Sequence, residues 1–172
     1  LRHIVFVLEM AALSLFIIAL ARPQSSTKKQ NVNIEGIDIV LAMDISSSML
    51  AADLKPDRLE ASKAVASDFV IGRPGDRMGL IVFSGETFTQ VPLTTDHGIM
   101  LNMLKDMKCG MLEDGTAIGD GLASAVSRLK DSEAISKVVI LLTDGDNNAG
   151  SIDPSTAAEM AKLFGIRVYT IG

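Results

Sequence analysis

Ile37-Asp-Ile-Val-Leu-Ala-Met43 runs directly into Asp44-Ile-Ser46-Ser-Ser48-Met49. The first part is short and almost continuously apolar. A strand with one wet face alternates, so this pattern predicts a strand covered on both faces. The second part sets one carboxylate and two hydroxyls at alternate positions just past the strand's carboxyl end. In open α/β sheets that end is where ligands bind. The stretch therefore predicts both the fold class and the place to look for a site.

Outward from it, strand and helix patterns alternate. Asp57 with Glu60 three residues on reads as a capping box, followed by a helical stripe of Leu59, Val65, Phe69 and Val70 as far as Gly72. Met78 to Phe83 is a second buried strand. Thr87 to Val91 alternates and is closed by Pro92, which predicts a hairpin partner at a sheet edge. Ile99, Met103, Leu104 and Met107 recur at helical spacing, as do Ile118, Leu122, Ala125, Val126 and Leu129. Val138 to Leu142 is the most apolar strand of the body. Asp153-Pro154 opens a helix that ends at Gly165, and Val168 to Ile171 is the last strand. Helical crossovers between buried strands predict a doubly wound, mostly parallel open α/β sheet over 37–172.

The ends differ from the body. From Ile4 to Ala21 only Glu9 is charged, and as a helix the run spans about 27 Å, close to a bilayer core. Residues 1–22 are accordingly expected to form one hydrophobic transmembrane helix. A cleaved signal ending at Ala19-Leu-Ala21, or a buried helix, are the competing readings. Pro23 to Gly36 is polar and reads as a tether. The chain starts at Leu1 and stops in a strand pattern, so the domain is expected to be incomplete at its C-terminus.

Composition narrows the function classes. The 172 residues fit one domain with an appendage. With 16 Lys+Arg against 21 Asp+Glu, a net charge of −5, there is no basic face for nucleic acid. One cysteine, Cys109, and two distant histidines, His3 and His97, leave no disulfide framework, zinc cluster or histidine-based triad.

Three segments then converge on the predicted rim. Asp44, Ser46 and Ser48 follow the first strand, Thr143-Asp144-Gly145-Asp146 follows the apolar strand Val138–Leu142, and Gly115-Thr116 opens a long helix. Carboxylates with short neutral hydroxyls form a hard-oxygen set that suits Mg²⁺ better than a full Ca²⁺ cage. Each residue also has a local reading: Ser46 and Ser48 as turn and cap residues, Thr116 as an N-cap, Asp144 as an Asx-turn. Asp146 would serve as outer support.

In this arrangement the sequence resembles a von Willebrand factor A (vWA) domain, and the motif its metal-ion-dependent adhesion site. Within that group the likeness is to the Bacteroides-aerotolerance (Bat) membrane proteins of the BatA-like kind. It rests on Ala19-Leu-Ala-Arg-Pro-Gln24, Asp57-Arg-Leu-Glu60, Asp76-Arg-Met-Gly-Leu80, Phe88-Thr-Gln90, Asp114-Gly-Thr-Ala-Ile-Gly119 and Leu141-Leu-Thr-Asp-Gly145. The resemblance implies that Ser46, Ser48 and Thr116 donate hydroxyl oxygens to Mg²⁺, with Mn²⁺ or Ca²⁺ as substitutes. Asp44 and Asp144 would hold the ion directly or through water. Ser47 stands where many such domains have glycine.

The resemblance further implies a binding module and not an enzyme, with a partner protein's Asp or Glu completing the ion's shell. It places the domain in the periplasm on an inner-membrane anchor. There it would work with a MoxR-type AAA+ ATPase and sister vWA proteins in envelope or aerotolerance stress. On this reading Asp44→Ala removes partner binding and leaves the fold intact.

The alternative is a Mg²⁺-dependent hydrolase on a similar sheet. Such phosphohydrolases carry an acid–base aspartate two residues after the nucleophile, and here that position is Ser46. Ser84 lacks the glycine of a hydrolase elbow, and His97 reads as a solvent-side residue near a helix start. Asp144-Gly-Asp-Asn-Asn148-Ala149 fails as an EF-hand, because Ala149 and Ser155 fill the Gly and Glu positions. Cys109 reads as incidental, and Met100, Met103 and Met107 as adaptable core.

Overall fold

The computed structural model describes residues 2–20 and 36–172, with the side chains of 17–20 excepted. The chain divides into an N-terminal unit, Leu1–Val32, and a second unit, Asn33–Gly172. The first contains helix α1 (Arg2–Leu20), whose described side chains are all exposed. Among the described residues no helix is long and apolar enough to cross a membrane. The apolar run followed above to Ala21 passes beyond the side chains described. Residues 23–35 of the expected tether lie outside the described residues.

In the second unit the elements follow the order expected from the sequence. They are β1 (Asp38–Asp44), a 3₁₀ turn (Ser47–Leu50), α2 (Arg58–Ile71), β2 (Arg77–Phe83), β3 (Thr87–Thr94), α3 (His97–Asp106), α4 (Ile118–Leu129), β4 (Lys137–Leu142), α5 (Pro154–Leu163) and β5 (Arg167–Ile171). The sheet order is β3-β2-β1-β4-β5, parallel throughout except for β3 on β2. All seven residues of β1 are buried. The pleat divides them: Ile39, Leu41 and Met43 face the core made with α2 and α3, while Val40 and Ala42 face the core made with α4 and α5. The chain leaves β1 for β2 on one side and reaches β4 on the other. The strand order thus reverses between β1 and β4, and the loops after them part there.

Several local expectations change. Pro92 does not end β3, which continues to Thr94. An edge strand tolerates a residue without an N–H, and the ladder slips register on both sides of Leu80. The capping box is one-sided: Asp57 accepts from the Glu60 amide at 2.8 Å, but the Glu60 carboxylate pairs with Lys63. Val65 is exposed, unlike its stripe partners Leu59 and Val70. His97 is not on the solvent side. Its ring Nε2 lies 2.9 Å from the Asp76 carbonyl oxygen, which ties the start of α3 to the turn before β2.

At the opposite end of β1 from the site, Asp38 is buried and bonded by the Arg77 guanidinium and the Ser132 hydroxyl. The β4–α5 loop is held against α4 by close packing at Gly119. A methyl group there would overlap the Ile152 carbonyl. Gly119→Ala is therefore expected to lower stability by about 1–3 kcal/mol, the range for forcing atoms into a packed site. Urea unfolding checks this, and an unchanged midpoint would contradict the packing argument.

Candidate metal centre

Asp44 is the last residue of β1 and is fully buried. Its Oδ1 accepts from the Ser46 amide at 2.8 Å, and its Oδ2 accepts from the Thr143 hydroxyl at 2.7 Å. One carboxylate thus fixes the turn after β1 and joins it to the residue that follows β4. That burial changes the mutational probe. Asp44→Ala would strand two donors, whereas Asn keeps the shape and the acceptor for the Ser46 amide, with its Nδ2 donating to the Thr143 hydroxyl oxygen instead.

The turn carries Ser46 and Ser48 side by side, their hydroxyl oxygens 2.9 Å apart. Ser46 stands at the N-cap of the 3₁₀ turn, but its hydroxyl makes no capping bond. Ser48 donates to Asp144 Oδ1 at 2.9 Å, so the rim of β1 meets the rim of β4 through side chains. Asp144 makes no Asx-turn bond; the turn there is made by Gly145 N–H to the Thr143 hydroxyl at 3.4 Å.

Thr116 arrives from a third segment and is held from both sides by Ser84. The Ser84 hydroxyl donates to the Gly115 carbonyl at 3.0 Å, and the Ala117 amide donates to the Ser84 carbonyl at 2.7 Å. Gly115 turns the chain with φ +141°, a value that side-chain-bearing residues rarely adopt. Thr116 is not the N-cap of α4; Ala117 is. Among the described residues no group hydrogen-bonds the Thr116 hydroxyl. A Cβ built on Gly145 would sit 3.6 Å from that oxygen, so Thr116 is beside the Asp144 loop.

The five residues singled out in the sequence therefore lie on one rim. The Ser46, Ser48 and Thr116 hydroxyls are free of cap duties, and two carboxylates flank them. Among the described residues no three or more His, Cys, Asp or Glu are grouped so that they could hold a metal ion. In the rim set, neutral hydroxyls outnumber charges. By the chemistry of its donors, this set fits a hard divalent cation.

Four further features escape a sequence reading. Arg58, the first residue of α2, donates to Asp144 Oδ2 and also forks onto Asp53, Nε to Oδ1 at 2.8 Å and Nη2 to Oδ2 at 2.7 Å. Asp53 first and Asp144 second push its ionisation still higher. Ser47 donates to Asp114 through its hydroxyl at 2.8 Å and its amide at 3.1 Å, tying the first loop to the one before Thr116. Asn148 Oδ1 accepts from the Thr116 amide at 2.8 Å, and Asn147 Oδ1 from the Gly119 amide at 3.3 Å. Asp146, expected as outer support, is exposed, as are Asn147 and Asn148, and these two asparagines make the hydrogen bonds to the Thr116 and Gly119 amides. Cys109 donates through Sγ to the Ser46 carbonyl at 3.3 Å. Burial pushes its thiol up, and the carboxylates of Asp57, Asp44, Asp114 and Asp144 add to the shift.

A family model described as von Willebrand factor type A domain matches residues 38–172. The chain belongs to the vWA family. A crystal structure of an aerotolerance-related membrane protein from Bacteroides fragilis is 36% identical to it, with a TM-score of 0.74 over 80% of this chain and 67% of that one. Proximal thread matrix protein 1 of the mussel byssus, solved with zinc in its MIDAS motif, is 28% identical with a TM-score of 0.71, over 80% of this vWA chain and 35% of that one. A Borreliella burgdorferi protein is 36% identical over 162 residues, 94% of this chain and 48% of its own length. The chain thus spans about half the length of the curated relatives it matches.

One consequence of this vWA rim can be read by titration. The Ser47 hydroxyl, then its amide, holds the Asp114 carboxyl below its ordinary value of 3.8. Because the folded value is depressed, this contribution to stability is present above that value and is lost as pH falls through the folded one. Ser47→Ala should raise the Asp114 titration midpoint in carboxyl NMR. An unmoved midpoint would show that the loops are not joined there.

Proposed function

We propose that this vWA domain binds a divalent cation, Mg²⁺ in the first instance, through Ser46, Ser48, Thr116, Asp44 and Asp144, and uses it to hold a partner protein. The reading is carried by the Thr116 hydroxyl, which is brought by its own loop to the two-serine turn and left without a protein partner among the described residues. The bound ion would supply a positive centre with a position open to a carboxylate. The chain's own residues do the rest. Asp44, buried and doubly bonded, fixes the turn. Ser46 and Ser48 present their oxygens together, and Thr116 closes the third side. A partner's Asp or Glu completes the shell, so an acidic residue becomes a requirement of recognition.

The hydrolase alternative is weaker on this rim. Ser46 occupies the acid–base position, and His97, the histidine of the second unit, is taken up by the Asp76 carbonyl in the turn before β2. Turnover would need a base matched to a nucleophile, and binding needs neither.

The membrane setting belongs to the same proposal. The apolar run Ile4–Ala21 of the sequence and the likeness to a protein named as a membrane protein support an inner-membrane anchor with the domain in the periplasm. The companions implied there are a MoxR-type AAA+ ATPase and sister vWA proteins in a stress complex.

Mn²⁺ or Mg²⁺ at about 100 times its dissociation constant should stabilise the native state by about 2.7 kcal/mol, since only the folded chain assembles the site. For a domain of this size that raises the melting temperature by about 5–10 °C. Asp44→Asn and Asp144→Asn should each remove the shift. Partner recovered from membrane extract with Mg²⁺ should be lost with EDTA. Identical melting in metal and in EDTA would overturn the reading.

A further inference from the structure

The least expected group at the rim is a permanent cation. Arg58 reaches Asp144 through Nη1, while Nε and Nη2 lie along Asp53, Nε within 3.1 Å of the second oxygen as well as 2.8 Å from the first. Asp144 has its other oxygen bonded by Ser48. Both oxygens of one of the two rim carboxylates are therefore engaged before any ion is considered, one of them by a full positive charge. A guanidinium does not deprotonate in proteins, so this charge cannot be titrated away.

The two carboxylates that share Arg58 differ. Asp53 makes the broad forked contact and its side chain is 56% exposed, while that of Asp144 is 11% exposed and held by a single guanidinium nitrogen. The fork stays satisfied if Nη1 lets go of Asp144. Arg58 thus has a second place to rest, a few ångströms from the rim and still on the first turn of α2.

We propose that Arg58 is a built-in cationic rival for the Asp144 carboxylate, with Asp53 as the group it falls back on, and that this pair sets how tightly the rim holds a divalent ion. The inference rests on the metal-binding reading given above. The mechanism is direct competition. An ion that draws on Asp144 meets a carboxylate already partly neutralised, and full use of it requires Nη1 to withdraw toward Asp53. Asp53 thus favours the ion-accepting arrangement by keeping the guanidinium satisfied elsewhere. Among the described residues, Arg58 is the one cation bonded to any of the five rim residues.

The test is Mn²⁺ and Mg²⁺ affinity of the chain in detergent micelles, by electron paramagnetic resonance and calorimetry, for wild type, Arg58→Gln, Asp53→Asn and the double variant. Arg58→Gln should tighten binding about tenfold, at the low end of what the outer partners of metal ligands contribute. Asp53→Asn should weaken it, because Arg58 is left with Asp144 alone. In the double variant the effect of Asp53→Asn should vanish, since it acts through Arg58. Metal-free melting curves of all four confirm that each is folded, and Asp53, on an exposed loop, tests the idea even if Arg58→Gln does not fold. Unchanged or weaker binding by a folded Arg58→Gln chain overturns the proposal and leaves the metal site standing. An undiminished Asp53 effect in the double variant also overturns it, reducing the pair to a background field. Absence of binding by the wild type overturns the metal site itself, and this inference with it.

Discussion

The rim depends on one buried carboxylate. Asp44 ends a strand covered on both faces, where an unpaired charge would be very costly, and both of its oxygens are claimed within the fold. The Ser46 amide bends the chain over Oδ1, and the Thr143 hydroxyl reaches Oδ2 from just past the neighbouring strand β4. Without that double contact the turn carrying Ser46 and Ser48 would have no fixed relation to the loop carrying Asp144. The carboxylate at the strand-order reversal thus creates the geometry on which any ligand chemistry rests.

Around it, the three loops are joined by side chains in a way that makes the rim a single object. Ser48 meets Asp144, Ser47 meets Asp114, and Asn148 meets the Thr116 amide. Ser84, the residue after β2, holds the Gly115–Ala117 turn from behind. The donors left facing the rim are mostly hydroxyls, which offer oxygen without adding charge. On the proposed reading, such a set would leave a bound ion short of neutralisation, with charge that an acidic partner could use. Arg58, bonded to Asp144, is proposed to work in the opposite direction, and the balance between the two would decide how readily an ion settles there.

Much of this was legible in the sequence because the signals were periodic or spaced. β1 and β4 read as buried strands from unbroken apolar runs, and the alternation of strand with helix gave a mostly parallel sheet with an antiparallel edge. The five rim residues each stood just past an element that could be recognised. What could not be read were contacts between residues far apart in sequence. Nothing local says that Arg58 will reach Asp144, that Ser47 will find Asp114, or that Asn148 will hold the Thr116 amide and Asn147 the Gly119 amide. Pro92 misled because a proline's effect depends on which side of a strand faces a partner, and His97 because its acceptor, the Asp76 carbonyl, belongs to a turn.

The central claim is that hydroxyls from two separate loops surround one ion, and anomalous scattering from crystals soaked in Mn²⁺ tests it most directly. The account predicts one peak with the Ser46, Ser48 and Thr116 side-chain oxygens within about 2.2 Å, a normal metal–oxygen distance for so hard an ion. A peak held by other residues, or none at all with those three hydroxyls in place, would contradict it.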